Sequence, residues 1–278
     1  MITFFPTRQI FIEIAGLLIS WYGVLYLLGF ASVWFLCPRL QKQRGLALTA
    51  DEWLVIILAA MAGVLIGGRL GYVLLYEPSY YLNYPLEIVK LWHGGMASHG
   101  GFIGVGAALW LVSRRLRIDP WKLFDVVVVP AALALAGGRL GNFINGELYG
   151  TVTSVPWGVV MPGVAGLRHP VQLYAVLKNI IVAVVCLWYL YRIQPVRPGR
   201  VLALFLLLYS TLRLITGFFR EPDGLAVSFA NLTLAQGQLL TIPLLGLGLY
   251  LWSRHSGSSA SFRHRRSLPP PEGGPMTN

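Results

Sequence analysis

The residues best placed to do chemistry are arginines in unfavourable surroundings. Arg69, Arg139 and Arg213 each fall within a long apolar stretch, where a cation costs on the order of a few kcal/mol. At helical rise, Arg69 and Arg139 come to the same depth, in one half of an apolar layer, with Arg213 nearer the middle. Glu13 and Glu147 are the only acids expected at comparable depth, so the chain cannot neutralise all three cations from within. An anionic ligand is the direct remedy, because guanidinium presents a planar fork that suits phosphate oxygens. The alternative is an arginine that snorkels to the interface or binds carbonyls at a helix end, and it applies most to Arg69. Lys178, early in its own apolar stretch, reads as structural.

Two motifs surround these cations. In Gly138-Arg139-Leu140-Gly141-Asn142-Phe143-Ile144-Asn145-Gly146-Glu147-Leu148-Tyr149-Gly150, Arg139 and Asn142 share a helical face at i, i+3. Asn145 follows one turn later. A cation with two amides suits phosphate and glycerol oxygens, and Glu147 is either the acid that orients an arginine or a surface acid. The second motif, His93-Gly94-Gly95-Met96-Ala97-Ser98-His99-Gly100-Gly101, has too many glycines for a regular helix and predicts a special-backbone turn before one. His99 there is a candidate proton acceptor, with a helix-capping role as the alternative, while His93 reads as interfacial. A pentapeptide also recurs, Gly67-Gly68-Arg69-Leu70-Gly71 and Gly137-Gly138-Arg139-Leu140-Gly141, in which small residues allow backbones to approach closely.

The elements that position these groups must be membrane helices. Hydrophobic residues make up 56% of the 278, the mean hydropathy is +0.64 and 12% are charged, about half the charged share of a soluble domain. The apolar runs are continuous, with no alternation of the kind a barrel requires, and several reach roughly the 20 residues needed to cross a bilayer. We therefore predict an all-α integral membrane protein with helices near 12–37, 53–76, 95–113, 123–145, 170–191, 201–219 and 237–253, forming one membrane domain over 1–254. Lys and Arg number 14 in the loops of one side and 4 on the other, which places the N-terminus outside and the C-terminus in the cytoplasm. The outer loops 77–93, 146–169 and 220–236 are long enough for a small head. The Ser-, Arg- and Pro-rich tail 255–278 reads as disordered. The net charge of +11 lies between apolar runs, which argues against nucleic acid. Cys37 and Cys186 read as packing residues, no His or carboxylate cluster suggests a metal, and no cofactor is implied.

The motifs together resemble the prolipoprotein diacylglyceryl transferase family. The Gly-Arg-x-Gly-Asn-Phe-x-Asn-Gly-Glu-x-x-Gly segment from Gly138 to Gly150 is similar to its signature. Similar too are the segment around His99, Trp21-Tyr22-Gly23, His169-Pro170-Val171-Gln172-Leu173-Tyr174, and Tyr209 with Arg213 followed by Phe218-Phe219-Arg220 and Pro222-Asp223. The matches keep the family's order from about residue 20 to 225. The resemblance implies a seven-helix bacterial inner-membrane enzyme. It moves the diacylglyceryl group of phosphatidylglycerol to the lipobox cysteine in a prolipoprotein signal peptide, releasing glycerol phosphate. Carried over by position, Tyr22, His99, Arg139, Asn142, Asn145, Glu147, Gly150 and Arg213 match functional or signature positions; Arg69 and Tyr209 join them as candidate lipid ligands. Three positions depart from the family pattern. Thr151 stands where an arginine is usual, and Ala175 and Gly217 where glutamates are common.

Within this reading His99 takes the thiol proton, Arg139 and Arg213 hold the phosphate, and the asparagines orient the head group. Two other classes fit the same buried arginines. One is a transporter for an anion or lipid; the other is a non-catalytic or substrate-altered relative that binds anionic phospholipid.

Overall fold

The computed structural model describes residues 10–14, 17–222, 226–229 and 232–254. The tail 255–278, predicted to be disordered, lies outside the described residues. Among those described, the long helices are α1 (Trp21–Leu40), α2 (Ala50–Leu75), α4 (Ser98–Arg115), α5 (Pro120–Asn145), α6 (Val171–Arg192), α7 (Arg200–Gly217) and α9 (Ile242–Arg254), with short helices α3 (Pro78–Asn83) and α8 (Gln236–Leu239) between them. Five are long and apolar enough to cross a membrane: α1 with the turn that follows it, α2, α5, α6 and α7. Their outward faces are apolar, with Leu58 55%, Ile66 61% and Val184 58% exposed. Such a surface is unstable in water and natural against lipid chains.

The first helix does not begin near residue 12. Ile10–Ile14 (β1) pairs antiparallel with Leu17–Ser20 (β2), and α1 starts at Trp21 because the Ser20 side chain caps it, accepting from the Gly23 amide at 3.1 Å. The Ile-rich start is apolar enough for either structure, and β-branched residues favour the strand. Glu13 therefore lies on an exposed strand outside the helix and is no partner for the buried arginines. The other starts follow from their caps. Thr49 and Glu52 form a capping box on α2, and Asp119 caps α5 through the Trp121 amide at 2.9 Å.

Glycine seams set the helix spacing. A Cβ at Gly67 would stand 2.4 Å from the Gly100 carbonyl oxygen, and one at Gly63 would stand 2.7 Å from that of Gly104. The backbones of α2 and α4 therefore touch. The repeated pentapeptide does the same work twice. Its copy in α2 meets α4, and its copy in α5 meets α1, where a Cβ at Gly141 would lie 2.7 Å from the Tyr22 ring.

At one end of the bundle a core built round Trp53, Leu123, Val126, Val182, Cys186 and Val201 is closed by charge. Asp125 of α5, fully buried, accepts from the Gly199 and Leu202 amides, both at 2.9 Å, and so caps α7 from another helix. Arg44 lies 2.8 Å from the same carboxylate and donates to the Val196 carbonyl at 2.5 Å. Both cysteines are buried free thiols in this core. The opposite end holds the connecting segments. β3 (Val159–Val160) pairs with β4 (Leu167–Arg168), and β5 (Ala226–Phe229) pairs with β6 (Leu232–Ala235).

Candidate active site

At the end away from Asp125, α5 finishes, α6 begins and α7 finishes side by side. Arg139 lies six residues before the last residue of α5, Lys178 seven after the first of α6, and Arg213 four before the last of α7. At about 1.5 Å per residue these depths agree to within one helical turn. The three side chains line one cleft, together with Gln172, Ala175 and Arg220. None of the side chains lining it is a carboxylate among the described residues.

The α5 motif folds as its spacing requires. Arg139 Nη1 donates to Asn142 Oδ1 at 3.5 Å. After Asn145 the chain turns through Gly146, in the left-handed region at φ 71°, where glycine carries no Cβ penalty. The turn brings Glu147 back under the helix end. Its carboxylate then accepts from Asn142 Nδ2 at 3.2 Å and from Asn145 Nδ2 at 3.1 Å. Glu147 thus orients the amides and leaves the arginine to face the cleft. Gln172 Nε2 donates to the Glu147 carbonyl at 2.6 Å and locks α6 to the same turn. Among the described residues Asn145 Oδ1 and Gln172 Oε1 are buried acceptors without a partner, and hydroxyl donors would satisfy them.

Tyr22 lies against Gly141 with its hydroxyl 3.2 Å from that of Tyr26, close enough to Arg139 and Glu147 to feel their charges. His99, half-buried in the first turn of α4, is not among the residues lining the cleft, but it is near enough to Arg213 for their charges to interact. Tyr209 is 8% exposed and stacks on Phe205 at 5.7 Å. It also meets Phe102 edge-on at 6.4 Å, and Lys178 Nζ stands 3.9 Å from its ring centroid.

The site does not include Arg69. Its guanidinium donates to the carbonyls of Ile88, Glu87, Lys90, Gly94 and Gly95. Five bonds use all five N–H groups, leaving none for a phosphate. Gly94 and Gly95 adopt positive φ to deliver two of those carbonyls. Arg69 therefore builds the turn that leads to His99. Gly150 is also structural in this arrangement. A Cβ there would stand 2.4 Å from the His169 oxygen and 2.8 Å from that of Phe219, so its backbone bridges the 146–169 segment to the end of α7.

Sequence reasoning missed four participants. Lys178, read as structural, lines the cleft between the two arginines. Gln172 and Arg220 line it too; both stand in motifs that were recognised without a role being given to these residues. Gln238 of α8 fills the space beside Gly217, 2.6 Å from where a Cβ would lie, and donates to the Leu214 carbonyl at 3.1 Å. An amide from α8 thus occupies the place that a side chain at 217 would take.

A family model described as prolipoprotein diacylglyceryl transferase matches residues 9–254. The chain belongs to that family. Among relatives, a phosphatidylglycerol–prolipoprotein diacylglyceryl transferase from Geobacter sulfurreducens is 43% identical over 86% of this chain and 92% of its own length. Its counterpart from Legionella pneumophila (strain Lens) is 40% identical over 91% of this chain and 98% of its own. The protein of the same name from Bordetella parapertussis is 43% identical over 87% of this chain and 94% of its own. As a member of the prolipoprotein diacylglyceryl transferase family, the chain carries the family's signature on the helix end that forms the cleft wall.

Proposed function

We propose that this chain is a phosphatidylglycerol–prolipoprotein diacylglyceryl transferase that moves the diacylglyceryl group onto the lipobox cysteine of prolipoproteins and releases glycerol phosphate. The observation that carries the reading is the cleft where Arg139 and Arg213, from separate helices, face one space beside the Asn142–Glu147–Asn145 network. A transporter requires a polar path to the other end of the bundle. That end is closed by the apolar core and the Arg44–Asp125 pair.

The loop charges favour an inner-membrane protein with its N-terminus and cleft on the extracytoplasmic side. The segments 77–93 and 146–169 would form a small head there. In this reading α4 and α9 complete seven spans. At 13 residues α9 is about 20 Å long, shorter than the bilayer core, and Arg254 in its last turn would stand at the interface.

The nucleophile is the substrate's own cysteine, as thiolate. Its sulfur attacks a glycerol carbon, a C–S bond forms, and the C–O bond to phosphate breaks. His99 takes the thiol proton directly or through water. Arg139 and Arg213 hold the phosphate in a site of low dielectric, where the attraction is strong. Asn145 Oδ1 and Gln172 Oε1 accept from the glycerol hydroxyls.

The test is lipid transfer to a lipobox peptide by purified, folded variants. Arg139→Gln and Arg213→Gln should each lower the rate by on the order of 10²–10³; near-normal rates in both reject the phosphate clamp. His99→Asn should lose the acid limb of the pH–rate profile, and an unchanged profile removes His99 as the base.

A further inference from the structure

We infer that Lys178 is a third phosphate ligand that binds the leaving glycerol phosphate more strongly than the intact lipid head. The inference rests on the transferase reading above and specifies how its cleft handles charge.

Lys178 is 4% exposed. Its partner is the face of Tyr209, 3.9 Å away, and among the described residues no carboxylate pairs with it. A buried ammonium with only an aromatic face beside it is unfavourable unless an anion joins it. The side chain is aimed to receive one. It lines the same cleft as Arg139 and Arg213 and is close enough to interact electrostatically with both. Ala175, one turn earlier on α6, lines the cleft as well. Its methyl group leaves the approach to Lys178 open and adds no competing carboxylate.

The charge of the bound phosphate determines what Lys178 does. The head of phosphatidylglycerol is a phosphodiester with a single negative charge. When sulfur attacks carbon, the C–O bond breaks and its electron pair stays on the phosphate oxygen. The product is a phosphomonoester, which at neutral pH carries a charge of about −1.5 to −2. Up to one further unit of negative charge thus develops in the cleft as the bond breaks, while the thiol proton leaves by way of His99. The attraction between the Lys178 ammonium and the phosphate therefore grows toward the transition state, and an interaction that grows in this way raises kcat more than it lowers KM.

The experiment uses the full-length chain in detergent with phosphatidylglycerol and a lipobox peptide. Lys178→Met keeps the length of the side chain and removes the charge. We expect kcat to fall on the order of 10²-fold with KM for the lipid changed little, Lys178→Arg to recover part of the loss, and inhibition by free glycerol phosphate to weaken in the Met variant. Independently of any variant, inhibition of the wild type by glycerol phosphate should tighten as pH rises from about 5 to about 7, while the phosphate gains its second charge. Four results overturn the inference. They are kcat within about twofold of wild type in Lys178→Met, a raised KM with kcat unchanged, unaltered product inhibition in that variant, and wild-type inhibition that does not vary with pH. A wild-type chain that transfers no lipid removes the transferase reading and this inference together, whereas an active wild type with an indifferent Lys178→Met removes this inference alone.

Discussion

Arg69 and Arg139 occupy the same place in the same pentapeptide, six residues before their helices end, yet they do different work. Around Arg69 the chain supplies five carbonyls, from the 87–95 turn. Around Arg139 it supplies one asparagine, Asn142, and a cleft. Replacing Arg69 by Met should therefore loosen 85–95, because it leaves five part-buried carbonyls without their donor, at a cost of up to about 1 kcal/mol each. Amide exchange across that turn would rise, and transfer would fall through the displacement of His99. Unchanged exchange in Arg69→Met would mean that the arginine does not hold the turn. The same turn carries a pH dependence. Hydrogen bonds from Lys90 (2.5 Å) and His93 (2.8 Å) hold the Glu87 carboxyl below its ordinary range. A carboxylate held low in the folded state contributes stability above its unfolded value, and that contribution is lost as pH falls through the folded one. Protection from exchange at 85–95, taken relative to the intrinsic rate at each pH, should thus be high at neutral pH and fall only below the usual carboxylate range.

Among the elements, the α2–α4 pair has the least tolerance. Gly67 and Gly100 leave no room for a methyl group, and the contacting atoms are backbone, which cannot rotate away. Gly67→Ala should push α4 outward and destabilise the protein by about 1–3 kcal/mol. Because His99 stands in the first turn of α4, the displacement should also lower the transfer rate in protein that remains folded. Thermal unfolding and activity of Gly67→Ala, read beside Gly106→Ala, where the added Cβ meets nothing within 4 Å, separate seam packing from general loss of glycine. Equal effects at the two positions would show that the seam does not set the position of α4.

Viewed as a whole, the molecule places its permanent charges at opposite ends for opposite purposes. The Arg44–Asp125 pair joins the turn after α1, the α5 core and the start of α7, and its two charges face each other at 2.8 Å. The cleft end gathers cations, and among the described residues none of the side chains lining it is a carboxylate. Stability and activity should therefore separate by position. Asp125→Asn leaves Arg44 buried beside a neutral amide and should cost about 3–5 kcal/mol. At temperatures where it stays folded, its transfer rate should stay near that of wild type, because the cleft lies at the other end. A large loss of rate in folded Asp125→Asn would show that the two ends are coupled.

The sequence by itself determined the membrane class, most helix positions and the Arg139–Asn142–Asn145–Glu147 group. Each follows from local physics: apolar length sets a span, and helical periodicity sets which side chains share a face. It also contained the pentapeptide that spaces the helices. It could not separate a strand from a helix in the Ile-rich start, since both accept an apolar run. Nor could it say which buried cation finds carbonyls and which finds a cavity. That is decided by groups distant in the chain, such as the 87–95 carbonyls around Arg69, Tyr209 beneath Lys178 and Gln238 beside Gly217. Only tertiary packing brings these together, and the solvation it gives each arginine decides whether the residue supports the fold or faces a ligand.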